Sequence, residues 1–191
     1  MTNLVINGNW YHGTPSGPIS RFRPFSHFGT IEAAKDSIGK HIHLRKTPGP
    51  YFMIEVTLNL KPLEYITIEE WGGITSLHIA NGLANSTIPQ SEIFEQIRRK
   101  AFALKAESKD FDKYGFSALK AELDNRNIKA IFYKNIVEGN PEDHSVCVID
   151  ESIINIIDTR SLELVDLEES IKRTEKFMKY LYIDVQQLPT N

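Results

Sequence analysis

The chain has 191 residues, 41% of them hydrophobic and 25% charged, which is enough for one domain with a sizeable core. The 22 Lys and Arg against 25 Asp and Glu give a net charge of -3. That balance disfavours a dedicated electrostatic binder of nucleic acid or anionic lipid, while leaving a local basic patch open. The single cysteine, Cys147, excludes a disulfide framework within the chain and a Cys-rich zinc site, and its apolar neighbours make it a small core residue. The opening MTNLVINGNWYHG lacks a basic stretch followed by a long apolar one, and no apolar run reaches the roughly 18 residues of a membrane span. A cytoplasmic location is expected, without membrane contact and with delivery into a target cell left open.

Taken in chain order, residues 8–30 are dense in Gly, Pro, Ser and His and predict short extended pieces joined by turns. TIEAAKDSI then predicts a short helix from Thr30, the N-cap, to Ile38, closing before Gly39. In PYFMIEVTLNLKPL, Phe52, Ile54, Val56, Leu58 and Leu60 alternate with Met53, Glu55, Thr57 and Asn59, the period of a strand with one buried face that ends at Pro62. Residues 63–85 mix short apolar pieces with Gly breaks. A capped helix is expected over about 91–108 and another over about 116–126. IKAIFYKNIVEG predicts a buried strand, and HSVCVIDESIINIID two short ones. Leu164, Leu167, Ile171, Phe177 and Leu181 fall at helical spacing and predict a C-terminal helix packed back on the sheet. Strands segregated from helices, with no GxGxxG or GxxxxGKS phosphate loop, predict an α+β fold with a mainly antiparallel, split sheet and flanking helices.

Four strings together resemble the ADP-ribosyltransferase superfamily over roughly residues 9–157. Tyr11-His12-Gly13-Thr14 is similar to the opening His-Gly-Thr of the diphtheria-toxin-like and poly-ADP-ribose-polymerase-like branches. HFGTIEAAKD is similar to the family's strand-then-helix unit. Leu60-Lys61-Pro62-Leu63 resembles the turn that ends its next strand, and IKAIFYKNIVEG with SVCVIDESIINI resembles the closing strand pair of phage and polymorphic-toxin members. The resemblance implies residues 1–158 as the transferase-like domain, with 159–191 a helical extension packed on it. It also implies NAD as the substrate that donates ADP-ribose, a protein or nucleic-acid acceptor, and a toxin, phage-defence or effector role with an antitoxin or immunity protein among the partners.

Breaking the nicotinamide-ribose bond builds positive charge on the ribose, so the chemistry calls for a carboxylate near the 2′-hydroxyl, an aromatic surface for nicotinamide and donors that orient the carboxamide. The resemblance places His12 and Glu138 in catalytic positions. Tyr11, His12, Gly13, Thr14, Arg21, Phe28 and Thr30 are the expected NAD-binding residues. Many members carry glutamate where this chain has His144-Ser145, so Glu138, in a Tyr-x-Asn-x-x-Glu-Gly string, is the expected acid and Glu142 the next. A solvated loop acid is the bland alternative for Glu138. His41 and His43 suggest a polar edge strand more than metal ligands, and no metal is assigned. Phe22, Phe25 and Phe28 are expected in the core, although Phe28 or Tyr11 is the ring that would stack on nicotinamide. Residues 63–115 are the expected site of target contact. Two other readings stay open: a binding module of the same fold with weak or no catalysis, and an endonuclease using His12, His27 and His144 as acid and base.

Overall fold

The computed structural model describes residues 8–69, 73, 75–134 and 143–186, with side chains described as far as residue 177. Seven strands and five α-helices occur among these residues: β1 (Trp10–Thr14), β2 (Ser26–Phe28), α1 (Ile31–Arg45), β3 (Tyr51–Leu58), β4 (Tyr65–Ile68), α2 (Ser76–Ala84), α3 (Glu92–Ala106), α4 (Phe111–Asn125), β5 (Ala130–Lys134), β6 (His144–Val148), β7 (Ile154–Leu162) and α5 (Leu164–Gln186). They form an α+β protein with two sheets, in the orders β1-β3-β7 and β2-β6-β5-β4. Every pairing is antiparallel except β4 with β5. A single bridge between Tyr11 and Gly29 joins β1 to the segment after β2, where the two sheets part.

The strands explain the layering. In β3, Ile54, Val56 and Leu58 share one face and pack with Phe132, Val146 and Val148 of the other sheet, so the two sheets bury their facing sides. The expected single buried face is too simple, because Tyr51 and Met53 point the opposite way and are buried under α1 and the start of α5. Phe52 is only half-buried. In β5, β6 and the residue just after it, the same alternation places Ile131, Tyr133, Cys147 and Ile149 on the outer face, covered by α2, α3 and α4 through Ile79, Leu83, Phe94, Leu119 and Leu123. Four layers result, with a helical layer outside each sheet. Burying each of the large apolar side chains involved contributes about 1.5–3 kcal/mol.

Several boundaries differ from the expected ones for identifiable reasons. Helix α1 does not stop before Gly39 but runs to Arg45. A Cβ on Gly39 would stand 3.0 Å from the Ser170 backbone, so this glycine serves the α1–α5 crossing and is not a stop signal. His41 and His43 accordingly lie on a helix, and His43 approaches Glu175 of α5 at 3.7 Å. Helix α5 packs chiefly on α1 instead of on the sheet: Asp36 receives a forked pair of bonds from Arg173 at 2.7 and 3.0 Å, and Leu167 is fully buried. Helix α4 begins five residues earlier than expected, with Asp110 capping it by accepting from the Lys113 backbone N–H.

Residues 63–115 are not an appended surface. They contain β4, α2 and α3, whose Ile68, Ile79, Ala80, Leu83, Phe94 and Ile97 form much of the outer core, although Leu63 and Phe102 are exposed. Residue 158 lies inside β7, a continuous nine-residue strand paired with β3. Cys147 is fully buried on β6 between β2 and β5, and burial pushes its thiol far above the usual range. None of the helices among the described residues is long and apolar enough to cross a membrane.

Candidate active site

The glycines of WYHGT and HFGT are explained by close approach. A Cβ on Gly13 would sit 2.1 Å from the Ala34 carbonyl oxygen and 2.8 Å from Ile38, so α1 lies directly against the β1 backbone. A Cβ on Gly29 would meet the Ala33 side chain at 2.8 Å and Ser145 Oγ at 2.9 Å. Thr30 caps α1 by accepting from the Ala33 backbone N–H at 3.3 Å, which fixes where the helix begins relative to both glycines. These contacts bring two strings that are 15 residues apart, centred on His12 and His27, to the place where the sheets part.

A small cavity of about 60 Å³ opens there. Tyr11, His12 and Gly13 of β1 line it, together with His27 and Phe28 of β2, Gly29, and Ala33, Ala34 and Ser37 of α1. Tyr133 of β5 and Ser145 of β6, directly opposite each other in the strand register, complete the wall. Two imidazoles and two kinds of hydroxyl therefore converge on one space.

Hydrogen bonding constrains the two histidines. His12 Nδ1 lies 2.8 Å from the His27 carbonyl oxygen, and a carbonyl only accepts, so Nδ1 carries a hydrogen and donates it. The His12 ring is also held edge-on to Phe22, with centroids 5.2 Å apart, and tilted against Phe28 at 5.6 Å. His27 Nδ1 lies 2.8 Å from the Tyr133 hydroxyl oxygen. Burial, and then the neighbouring His12, lower the His27 pKa to about 4, so its ring is neutral at pH 7.

That depression has a consequence for stability. Because the folded-state pKa lies below the ordinary 6.5, the unfolded chain binds the extra proton first; the contribution is complete above pH 6.5 and is lost as pH falls toward 4. The loss is at most about 3 kcal/mol, and less for a ring that keeps some contact with solvent. Chemical denaturation at pH 7 and pH 4 is expected to show a smaller acid loss in His27→Gln than in the unaltered protein. Equal losses would mean that His27 titrates normally in the fold.

The expected NAD-binding residues separate into groups. Tyr11, His12, Gly13 and Phe28 line the cavity, although Phe28 is only 2% exposed and its ring packs on Phe22 at 4.8 Å within the inter-sheet core. Thr14 and Thr30 flank it in structural roles: Thr14 is buried, its hydroxyl bonded to Ser16 at 2.9 Å, and Thr30 is the helix cap. Arg21 is not brought to the cavity. It is highly exposed, pairs with Glu151 at 3.4 Å, and lines a separate groove of about 500 Å³ beside Phe22, Lys120 and Asp150. Of the three phenylalanines, Phe22 and Phe28 are core, and the partly buried Phe25 packs on Phe116 with centroids 4.9 Å apart.

Glu138 and Glu142 lie outside the described residues. His144 begins β6, opposite Lys134, and does not line the cavity, so His12 and His27 meet there without it. No group of three or more His, Cys, Asp or Glu side chains among the described residues is placed to hold a metal. Sequence reasoning singled out Ser145 only as the position where many members carry glutamate, and missed Tyr133, Gly29 and Ser37; alternation in AIFYK and HSVCV does place Tyr133 and Ser145 on one face, but nothing local says that β2 reaches them. Compared with family models, curated proteins and solved structures, the chain matches none.

Proposed function

We propose that the protein is an NAD-dependent ADP-ribosyltransferase of macromolecules, acting as a toxin, phage-defence enzyme or effector on a protein or nucleic-acid acceptor. The observation that supports this reading is the convergence of WYHGT and HFGT, the two strings that carried the resemblance, on one cavity at the junction of a split sheet. In the reaction, the bond between ribose C1′ and the nicotinamide nitrogen breaks, nicotinamide leaves with the bonding pair, and a nucleophile on the acceptor forms the new bond to C1′ while losing its proton. Glu138, in the connection between β5 and β6, is assigned to stabilise the cationic ribose. His12, with its Nδ1 hydrogen fixed by the His27 carbonyl, is assigned to orient NAD by hydrogen bonding.

His12→Ala is expected to weaken NAD binding about tenfold, the loss of roughly one hydrogen bond, while leaving the fold intact. Calorimetric titration with NAD, beside circular dichroism of the same samples, checks this. Unchanged affinity in a folded His12→Ala protein would remove His12 from the site.

A further inference from the structure

We infer that Tyr133 is a further substrate-contacting residue of this site and that His27 positions it. The inference rests on the NAD reading above and deepens it by adding a wall of the site that the opening His-Gly-Thr string does not supply. Tyr133 stands on β5, a strand of the sheet that does not carry His12, and its hydroxyl lies 2.8 Å from His27 Nδ1. The two rings meet edge-on, with centroids 5.8 Å apart and planes at 79°. Tyr133 is 8% exposed and Ser145 2%, so both hydroxyls belong to a wall shielded from bulk water, where a hydrogen bond to a substrate is stronger than at the surface.

His27 occupies the centre of this arrangement in two separate ways. Its backbone carbonyl fixes the proton on His12 Nδ1, and its imidazole holds the Tyr133 hydroxyl. One residue thus sets the relative position of a group from β1 and a group from β5 across the split between the sheets. An aromatic hydroxyl held in this way suits a ribose hydroxyl or the nicotinamide carboxamide, both of which accept and donate hydrogen bonds. Because Tyr133 is 8% exposed and belongs to the buried cluster of Ile131 and Cys147, the hydroxyl cannot swing far, and its contribution is orientation of the bound substrate.

Geometry also separates the two jobs of His27 experimentally. His27→Ala removes the imidazole but keeps the backbone carbonyl, so the His12 bond survives while the bond between His27 and the Tyr133 hydroxyl is lost. Tyr133→Phe removes one oxygen atom and keeps the ring in the core. His27→Asn restores a hydrogen-bonding side chain of shorter reach.

The experiment measures nicotinamide release from NAD, with water as acceptor, for the unaltered protein and these three variants, together with thermal melting of each. Tyr133→Phe and His27→Ala are expected to melt near the unaltered protein and to lower kcat/KM by about tenfold, with partial recovery in His27→Asn. Nitrogen chemical shifts of His12 are expected to keep the Nδ1-protonated form in His27→Ala. Unchanged kcat/KM in a folded Tyr133→Phe protein, beside an active unaltered one, overturns this inference alone. Absence of both NAD binding and turnover in the unaltered protein overturns the NAD reading and this inference with it. Should His27→Ala fail to fold, the Tyr133→Phe result still decides.

Discussion

Glu138→Gln is expected to lower NAD turnover by roughly 10² to 10³ while leaving NAD affinity nearly unchanged. The connection from Lys134 to His144 that carries Glu138 joins the two strands whose opposed residues, Tyr133 and Ser145, line the cavity. A carboxylate serving the cationic ribose acts when charge develops, so deleting its charge affects the rate and not the ground-state complex. Gln keeps the size and reach of Glu, which isolates the charge. Nicotinamide release under saturating NAD, with binding measured by calorimetry, checks the split. Glu142→Gln and Ser145→Ala are the matched comparisons. Near-normal turnover in Glu138→Gln with collapse in Glu142→Gln would move the acid along the connection, and normal turnover in all three would remove this segment from the mechanism.

What the sequence made legible was set by interaction range. The strand period in residues 52–58 and the Thr30 cap of α1 depend on neighbours within a few residues, and those elements form where the signals stand, whereas the start of α4 at Phe111 lies ahead of the expected 116. The helix end at Gly39 was misleading because glycine is both a local stop signal and a means of close helix crossing; only α5, more than 120 residues later, shows which use applies. The same limit governs the site. His12 stood out through its short string, whereas Tyr133 looks like an ordinary strand residue until β2 is paired with β6 and His27 is brought to its hydroxyl. Arg21 failed in the opposite direction: it is close in sequence to the site strings, but the turn before β2 carries it to Glu151.

Gly13→Ala is expected to be the most damaging single-methyl change in the described part of the site. The added carbon would lie 2.1 Å from the Ala34 carbonyl oxygen and 2.9 Å from its carbonyl carbon, distances that no real Cβ tolerates, and both atoms are backbone. A flexible side chain cannot relieve the clash, so α1 must move away from β1 as a unit. That displacement loosens Ala34 and Ile38 from their contacts with Met53 and Leu167, and it moves Ala33, Ala34 and Ser37, which form one side of the cavity. Overpacking of this kind costs about 1–3 kcal/mol or more, which for a chain of this size lowers Tm by roughly 2–4 °C per kcal/mol. NAD affinity is expected to fall together with Tm, whereas in His12→Ala it falls with the fold retained and α1 still seated on β1. Calorimetric melting and NAD titration on the two variants side by side separate a distorted site from a missing contact. A Gly13→Ala protein with unaltered Tm would mean that α1 does not rest on the β1 backbone.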